Sequence, residues 1–159
     1  MKYKTVNETE NFIYKDCNIN EAYFDNMMIS FVVEALIVKA TNSKNTNYTD
    51  SYAGDAEVNF VRPAIMSVIH AGYKKYDAED KLIEEVEDKE VSLDHNQMRS
   101  MFTGAYLTGI DKESEGVYRL SMELADEDPY AVADVYEVRI SCDEVIIEWD
   151  KYLNRVQEM

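Results

Sequence analysis

The chain has 159 residues, of which 46% are hydrophobic and 11% aromatic, and it carries 32 acidic against 16 basic residues. This size and apolar content predict one folded domain over residues 1–159. They also exclude intrinsic disorder, which requires high charge together with low hydrophobicity. The net charge of −16 argues against direct binding of nucleic acid or of an anionic membrane surface, because both depend on clustered Lys and Arg.

The sequence contains no pattern typical of a secretory signal or of a membrane span. The most apolar stretch, residues 27–38, is interrupted by Ser30 and Glu34 and is shorter than the ~20 residues that a spanning helix needs. The chain has only two cysteines, Cys17 and Cys142, and they lie far apart in the sequence. For so few cysteines, reduced thiols are the usual state. We therefore expect a cytoplasmic protein with no membrane segment.

Residues 23–40 form the first strongly apolar segment, and two patterns compete in it. Met27, Ile29, Phe31, Val33, Ala35 and Ile37 alternate with a period of two. The abundance of β-branched residues favours this strand interpretation. A helical stripe with Asp25 as its cap is the alternative, in which residues 25–40 are helical. The polar tract 41–55 that follows predicts a long surface loop.

Residues 65–76 and 82–91 predict a β-hairpin that turns at residues 77–80. Residues 93–104 then predict a short helix. Asp94 is its expected N-cap, Leu93 and Met98 occupy the positions of a hydrophobic staple, and Gly104 can end the helix.

Residues 105–110 and 117–124 predict a second hairpin, in which Ile110 faces Tyr118. Its apolar side carries Tyr118, Leu120, Met122 and Leu124. Gly116 can supply a positive φ angle near the end of the connection, residues 111–116.

Residues 130–140 and 144–151 predict a last hairpin with a two-residue turn at positions 142 and 143. In this register Val138 faces Ile147 and Tyr136 faces Trp149, so that the apolar side chains share one side. Glu137 then lies opposite Glu148 on the outer side, with Arg139 between them. The whole pattern predicts a mainly β fold. It would be an antiparallel β-sandwich or a partly closed barrel with one or two short helices; the alternative is an α+β fold with residues 25–40 helical.

The acidic residues are concentrated in the second half of the chain. Residues 1–76 have a net charge of −1 and residues 77–159 have −15, with −7 in residues 77–94 and −10 in residues 111–150. Such a one-sided charge indicates an acidic binding surface that attracts a basic protein. The residues that we predict for this surface are Asp77, Glu79, Asp80, Glu84, Glu85, Glu87, Asp88, Glu137, Glu148 and Asp150.

No motif predicts a catalytic or cofactor site. His70, His95, Cys17 and Cys142 are too far apart in sequence for a zinc motif, so no metal or other cofactor is expected. A Cys142–His70 dyad would need the two side chains to meet in space. The more ordinary interpretation is a buried, hydrogen-bonded His70 and an incidental thiol. No phosphate-binding or nucleophile-elbow motif is present.

The sequence therefore favours a non-enzymatic acidic interaction domain that binds a protein partner. One alternative is an inhibitor or immunity-type factor that blocks a basic, nucleic-acid-acting protein through charge complementarity. Another is a small-molecule-binding or enzymatic β-barrel whose interior pocket contains His70 and a carboxylate. The sequence does not specify the oligomeric state.

Overall fold

The computed structural model of the protein describes residues 1–125 and 133–155. Its strands are β1 (Tyr3–Val6), β2 (Phe12–Ile13), β3 (Cys17–Phe24), β4 (Met28–Glu34), β5 (Ile37–Val38), β6 (Ser51–Ala53), β7 (Ala56–Val61), β8 (Ala64–His70), β9 (Tyr73–Tyr76), β10 (Leu82–Val86), β11 (Lys89–Glu90), β12 (Tyr106–Ser114), β13 (Val117–Leu124), β14 (Asp134–Ser141), β15 (Glu144–Trp149) and β16 (Tyr152–Arg155). One α-helix, α1 (His95–Phe102), and one 3-10 turn, Thr9–Asn11, complete these described elements.

The strands form three antiparallel sheets. Among the described strands, the largest sheet has ten in the order β1-β15-β7-β4-β3-β12-β13-β14-β8-β11, the second has the order β16-β6-β5-β2, and β9 pairs only with β10. Within the described ranges β1 and β11 do not pair with each other, so the large sheet is not a closed barrel. The predicted mainly β, antiparallel class is confirmed, and strand β4 rules out the helical alternative for residues 25–40.

A chain of aromatic rings holds the curved large sheet around its core. The ring of Phe102 in α1 lies 6.1 Å from that of Phe24, which lies 5.7 Å from Phe31. Phe31 is 6.2 Å from Phe60, and Phe60 is 6.4 Å from Tyr118. Three strands separate β7, which carries Phe60, from β13, which carries Tyr118. The contact between these rings therefore requires the sheet to curl until its two halves face each other.

Trp149 joins the large sheet to the four-stranded sheet. Its ring stacks on Tyr3 at 5.5 Å and contacts the edges of Phe12 and Tyr152 at 5.6 and 6.0 Å. Phe12 belongs to β2 and Tyr152 to β16, the two outer strands of the smaller sheet. Aromatic pairs in this geometry stabilise a core beyond their buried area.

Helix α1 forms as its sequence predicts. The Asp94 carboxylate accepts a hydrogen bond from the Gln97 backbone N–H, and the Gln97 side chain accepts one from the Asp94 N–H. This capping box satisfies two of the unpaired donors at the helix start. Met98 and Phe102 are buried against the sheet, and Gly104 has a φ of +89° just after the helix.

The predicted strand over residues 23–40 is divided into several pieces. Strand β3 ends at Phe24, and β4 and β5 are separated at Ala35, which has a φ of +62°. Ile29, Phe31 and Val33 are buried as the alternation predicts, whereas Met27 is exposed. The predicted loop 41–55 also contains strand β6, so only its first part is irregular.

The predicted pairing of the last hairpin is wrong. Strand β14 pairs with β13 and β8, whereas β15 pairs with β1 and β7. The Cys142 N–H bonds to the Gly116 carbonyl and the Asp143 N–H to that of Val61, so the connection crosses between the two halves of the sheet. Val138, Ile147 and the other apolar residues do face the core. Alternation specifies which face of a strand is buried, but it does not specify which strand lies beside it.

The hairpin of β12 and β13 is present, but its predicted register is wrong. Ile110 lies opposite Leu120, and the residue opposite Tyr118 is Lys112. Strand β12 continues to Ser114, and the turn is shortened to two residues that include Gly116, with a φ of +72°. The late turn at residues 115 and 116 accounts for the difference. Two register shifts, between Lys112 and Ser114 and between Leu107 and Gly109, offset part of it, because a bulge inserts an extra residue on one strand.

In the portion of the chain that the structure describes, none of the helical segments has the length and apolarity required to traverse a lipid bilayer.

Replacing Phe31 with Ala should lower the free energy of unfolding by about 3–5 kcal/mol, since the ring is fully buried within the aromatic chain. Urea unfolding followed by Trp149 fluorescence would measure the change. Tyr48→Ala is the control, because Tyr48 is exposed and should change stability by less than about 0.5 kcal/mol. Equal effects from the two substitutions would contradict the central place of this ring in the core.

Candidate interaction surface

The β9–β10 hairpin projects from the fold as a two-stranded sheet, and we call residues 73–88 the arm. All five residues of β10 are exposed, so neither face of this strand is covered by the rest of the protein. In β9 only Tyr73 is partly buried. The predicted hairpin of residues 65–76 and 82–91 is confirmed around its turn, where β9 pairs with β10. Both predicted strands are interrupted, after His70 and after Val86, and beyond these breaks β11 pairs with only two residues of β8. Seven of the ten predicted binding-surface residues belong to the arm.

Four large apolar side chains are exposed along the arm: Tyr76 at 53%, Leu82 at 45%, Ile83 at 57% and Val86 at 42%. Our sequence prediction named only the acids here and missed these side chains. The sequence itself could have indicated that these side chains are exposed. Leu82, Ile83 and Val86 lie among charged residues, and no further apolar strand was predicted that could cover them. Several large exposed apolar side chains on one projecting element, among charged residues, indicate an interaction site.

Lysines on β9 offset part of the acidic charge of β10. Lys74 lies opposite Glu85, with 3.8 Å between Nζ and the carboxylate, and Lys75 lies opposite Glu84. The Tyr73 hydroxyl donates to Glu84 at 2.9 Å, and this bond raises the pKa of Tyr73. With seven carboxylates and three lysines, the arm has a net charge of −4. The arm is therefore less acidic than the −7 of residues 77–94.

Two of the predicted surface acids build the arm itself. The Asp77 carboxylate accepts hydrogen bonds from the N–H groups of Glu79 at 2.9 Å and Lys81 at 3.0 Å, which closes the turn at the tip. The Asp88 carboxylate accepts one from the Gly72 N–H at 2.7 Å, at the base. Among the residues that the structure describes, Glu79, Asp80 and Glu87 have no ion pair, so their charges face solvent.

Gly72 sets the direction in which the arm leaves the sheet. A Cβ atom at this position would lie 1.9 Å from the Val86 carbonyl oxygen and 2.5 Å from the Glu87 carbonyl carbon. The backbone at position 72 therefore approaches the other end of the arm more closely than any residue with a Cβ atom would permit at this position.

The three remaining predicted acids do not lie together. Glu137 lies opposite Ser121 and Ile69, whereas Glu148 lies opposite Lys4 and Glu57. Five strands separate β14 from β15 in the sheet. The predicted opposition of Glu137 and Glu148 on one hairpin is therefore wrong, because it depended on the pairing of these strands.

The predicted position of Arg139 between Glu137 and Glu148 is also wrong. Arg139 bonds to Glu113 at 2.7 Å and does not bridge Glu137 and Glu148. The Asp150 carboxylate accepts a hydrogen bond from the Lys2 backbone N–H at 3.1 Å.

His70 and Cys142 do not form a catalytic dyad. His70 lies opposite Tyr136, near the start of β14, whereas Cys142 follows the end of that strand. At ~3.3 Å per residue the two positions are about 20 Å apart. His70 is hydrogen-bonded, as expected, to the Asp134 carboxylate, and its ring stacks on Tyr136 at 4.4 Å. It is half-exposed, so the expectation that it is buried is wrong.

The expected interior pocket beside His70 is replaced by a surface cleft. Its volume is about 330 Å³, and its lining includes the exposed Glu87 and Lys89 together with His70. The interior itself contains packed side chains, among them Met98, Leu120 and Met122. Within residues 1–125 and 133–155, no group of three His, Cys, Asp or Glu side chains could hold a metal ion.

Comparison of the chain with protein-family models, with curated proteins and with solved structures gives no significant match.

Gly72→Ala should loosen the arm, because its new methyl group cannot fit beside the Val86 carbonyl. We expect the free energy that is needed to open the arm to fall by about 1–3 kcal/mol, which is the usual cost of overpacking. Hydrogen exchange of the amides of residues 73–88 would measure it. Gly109→Ala is the matched control, since nothing lies within 4 Å of its Cβ position. Unchanged exchange in Gly72→Ala would contradict the close approach at the base.

Cys142 should react slowly with iodoacetamide in the folded protein. Burial, followed by the nearby Asp143 carboxylate, raises its pKa to about 11. At pH 8 only about one thiol in a thousand is then the reactive thiolate. Mass spectrometry should show faster labelling once the protein is unfolded in urea. Equal rates in the folded and unfolded states would contradict this prediction.

Proposed function

We propose that the protein is a non-enzymatic, acidic interaction domain and that a basic protein binds to the arm. The observation that carries the proposal is the exposure of Tyr76, Leu82, Ile83 and Val86 on a hairpin whose outer strand is exposed along its whole length. An isolated two-stranded hairpin is marginally stable at best in water. Covering these side chains with a partner would remove the apolar surface from water and stabilise the arm.

The chemistry of the arm suits a protein partner. Apolar and aromatic side chains form the centres of protein interfaces, whereas charged groups occupy their rims. On the arm, Leu82 and Ile83 supply apolar side chains for the centre of an interface. The charged groups for its rim are Glu79, Asp80 and Glu87. A nucleic acid would instead need phosphate-neutralising Lys and Arg, and the three lysines of the arm lie among seven carboxylates.

The charge of the whole chain supports a basic partner in particular. A net charge of −16 exceeds the magnitude of ~2–8 that keeps a small domain soluble. The excess would steer a positively charged protein toward the surface and speed association. We place this interaction in the cytoplasm, since both thiols are unpaired and a reducing compartment preserves that state.

A sharper form of the proposal is an inhibitor or immunity-type factor. The specific observation that favours it is the combination of a projecting arm with an acidic tip, at Asp77, Glu79 and Asp80. A tip of this shape and charge fits the basic cleft of a nucleic-acid-acting protein, where it would occupy the position of the phosphates.

Capture of partners from native cell extract on the immobilised full-length protein tests the proposal. We expect a basic protein to be retained at low salt and released as ionic strength approaches and exceeds 0.1 M, where the screening length falls to about 10 Å. Leu82→Ser with Ile83→Ser should abolish its capture, because these side chains form the apolar centre of the arm.

Met27→Ser with Leu153→Ser is the matched control, since both side chains are large, apolar and more than half exposed but lie outside the arm. This variant should capture the same protein as the original chain. Equal capture by both double variants, or retention that does not depend on salt, would refute the proposal.

A further inference from the structure

Strand β8 has an open edge over part of its length. On one side it pairs with β14 from Ala64 to His70. On the other side β11 pairs only with Ile69 and His70, and one more bond runs from the Val91 N–H to the Val68 carbonyl at 2.9 Å. In the described part of the chain, residues 64–67 have no second strand beside them. Proteins usually cover or blunt such an edge, because its unpaired main-chain groups can bind another strand.

A groove of about 720 Å³ runs along this open edge. It is lined by β8, by the turn between β3 and β4, and by the segment that leads into α1. Met66 is 49% exposed in its lining and Ile65 and Leu93 are partly exposed there, whereas Ile29 and Met98 are buried beneath them. The groove therefore offers both main-chain partners and apolar contacts, the two requirements for binding an extended peptide by strand addition.

The charge of the groove selects the kind of peptide. Its charged lining residues are Asp25 and Glu90, with His95 as the only other titratable group and no Lys or Arg. Backbone hydrogen bonds from Met28 and Met27 lower the pKa of Asp25, so this carboxylate stays ionised at neutral pH. Both carboxylates would attract Lys or Arg side chains and repel acidic ones.

We propose that the groove binds an extended basic segment of the partner protein as an added strand along residues 64–67. The main chain of the segment bonds to the open edge of β8, its apolar side chains contact Ile65, Met66 and Leu93, and its basic side chains pair with Asp25 and Glu90. The inference rests on the proposed function, because it adds a second contact for the same basic partner, away from the arm.

A second copy of the chain fits the groove poorly. Each copy has a net charge of −16, so two copies repel each other at ordinary salt. An extended basic segment has no such cost. Self-association through this edge is therefore an outcome that the test must be able to detect.

Nuclear magnetic resonance titration of the full-length protein with the peptide acetyl-Lys-Val-Lys-Val-Lys-Val-amide tests the inference. The amide signals of residues 64–67 should shift, and their hydrogen exchange should slow. Two further peptides carry N-methyl groups on alternate residues. One peptide is methylated along one edge of its strand, and the other is methylated along the opposite edge. In a strand, alternate N–H groups point to opposite sides. One methylated peptide should therefore bind within about twofold of the parent, and the other should bind about tenfold more weakly.

The charge contribution is measured with variants at Met66, whose exposed side chain tolerates replacement. Met66→Lys should weaken binding of the peptide about threefold relative to Met66→Gln, because the new charge repels the peptide. Equal loss with both methylated peptides, signal shifts confined to the arm, no binding of the parent peptide, or dimerisation through residues 64–67 would each overturn the inference.

The arm variant Leu82→Ser with Ile83→Ser separates this inference from the proposed function. It should bind the peptide as the original chain does, while it loses the cellular partner. If the peptide fails to bind but capture still depends on the arm, only the groove inference falls. If the peptide binds but no protein is captured through the arm, the proposed function falls.

Discussion

The burial of one face of every central strand around a continuous row of aromatic rings is the constraint on which the structure depends. The row from Phe102 through Phe31 to Tyr118 crosses from the helix to both halves of the large sheet. Because these rings must meet, the sheet has to curl, and α1 has to lie on its concave side. The order of the strands follows from this requirement more than from their order in the sequence.

The arm and the open edge of β8 are two places where this constraint ends. Beyond His70 the chain leaves the curved sheet, and no further ring or aliphatic side chain of the described core reaches the arm. Strand β11 then returns to β8 for only two residues before the chain turns into α1. Because β11 pairs with so little of β8, main-chain groups stay exposed in the groove. The arm that precedes β11 also keeps its apolar side chains exposed. The arm lies on the stretch between β8 and the helix, and the groove borders that stretch.

Local signals in the sequence predicted local structure well. Asp94 caps the helix and Gly116 closes its turn, since each acts through atoms within a few residues. Alternation correctly assigned Val138 and Ile147 to the core. It could not assign their neighbours, because any strand with a matching apolar face satisfies the same pattern. The positions of Glu137 and Glu148 depended on that pairing, so the sequence could predict that they point outward but not that they lie apart.

The base of the arm is held by the backbone of Gly72 and by the carboxylate of Asp88, and neither contact involves a side chain of the strands beyond it. The attachment of the arm is therefore independent of most of the side chains that the arm exposes. The exposed side chains of β9 and β10 can diverge among descendants of this protein, or be redesigned in the laboratory, while Asp77 keeps the turn closed and the base holds the hairpin in place. A scaffold of this kind can acquire a new partner by altering a few exposed positions, without rebuilding the fold that presents them.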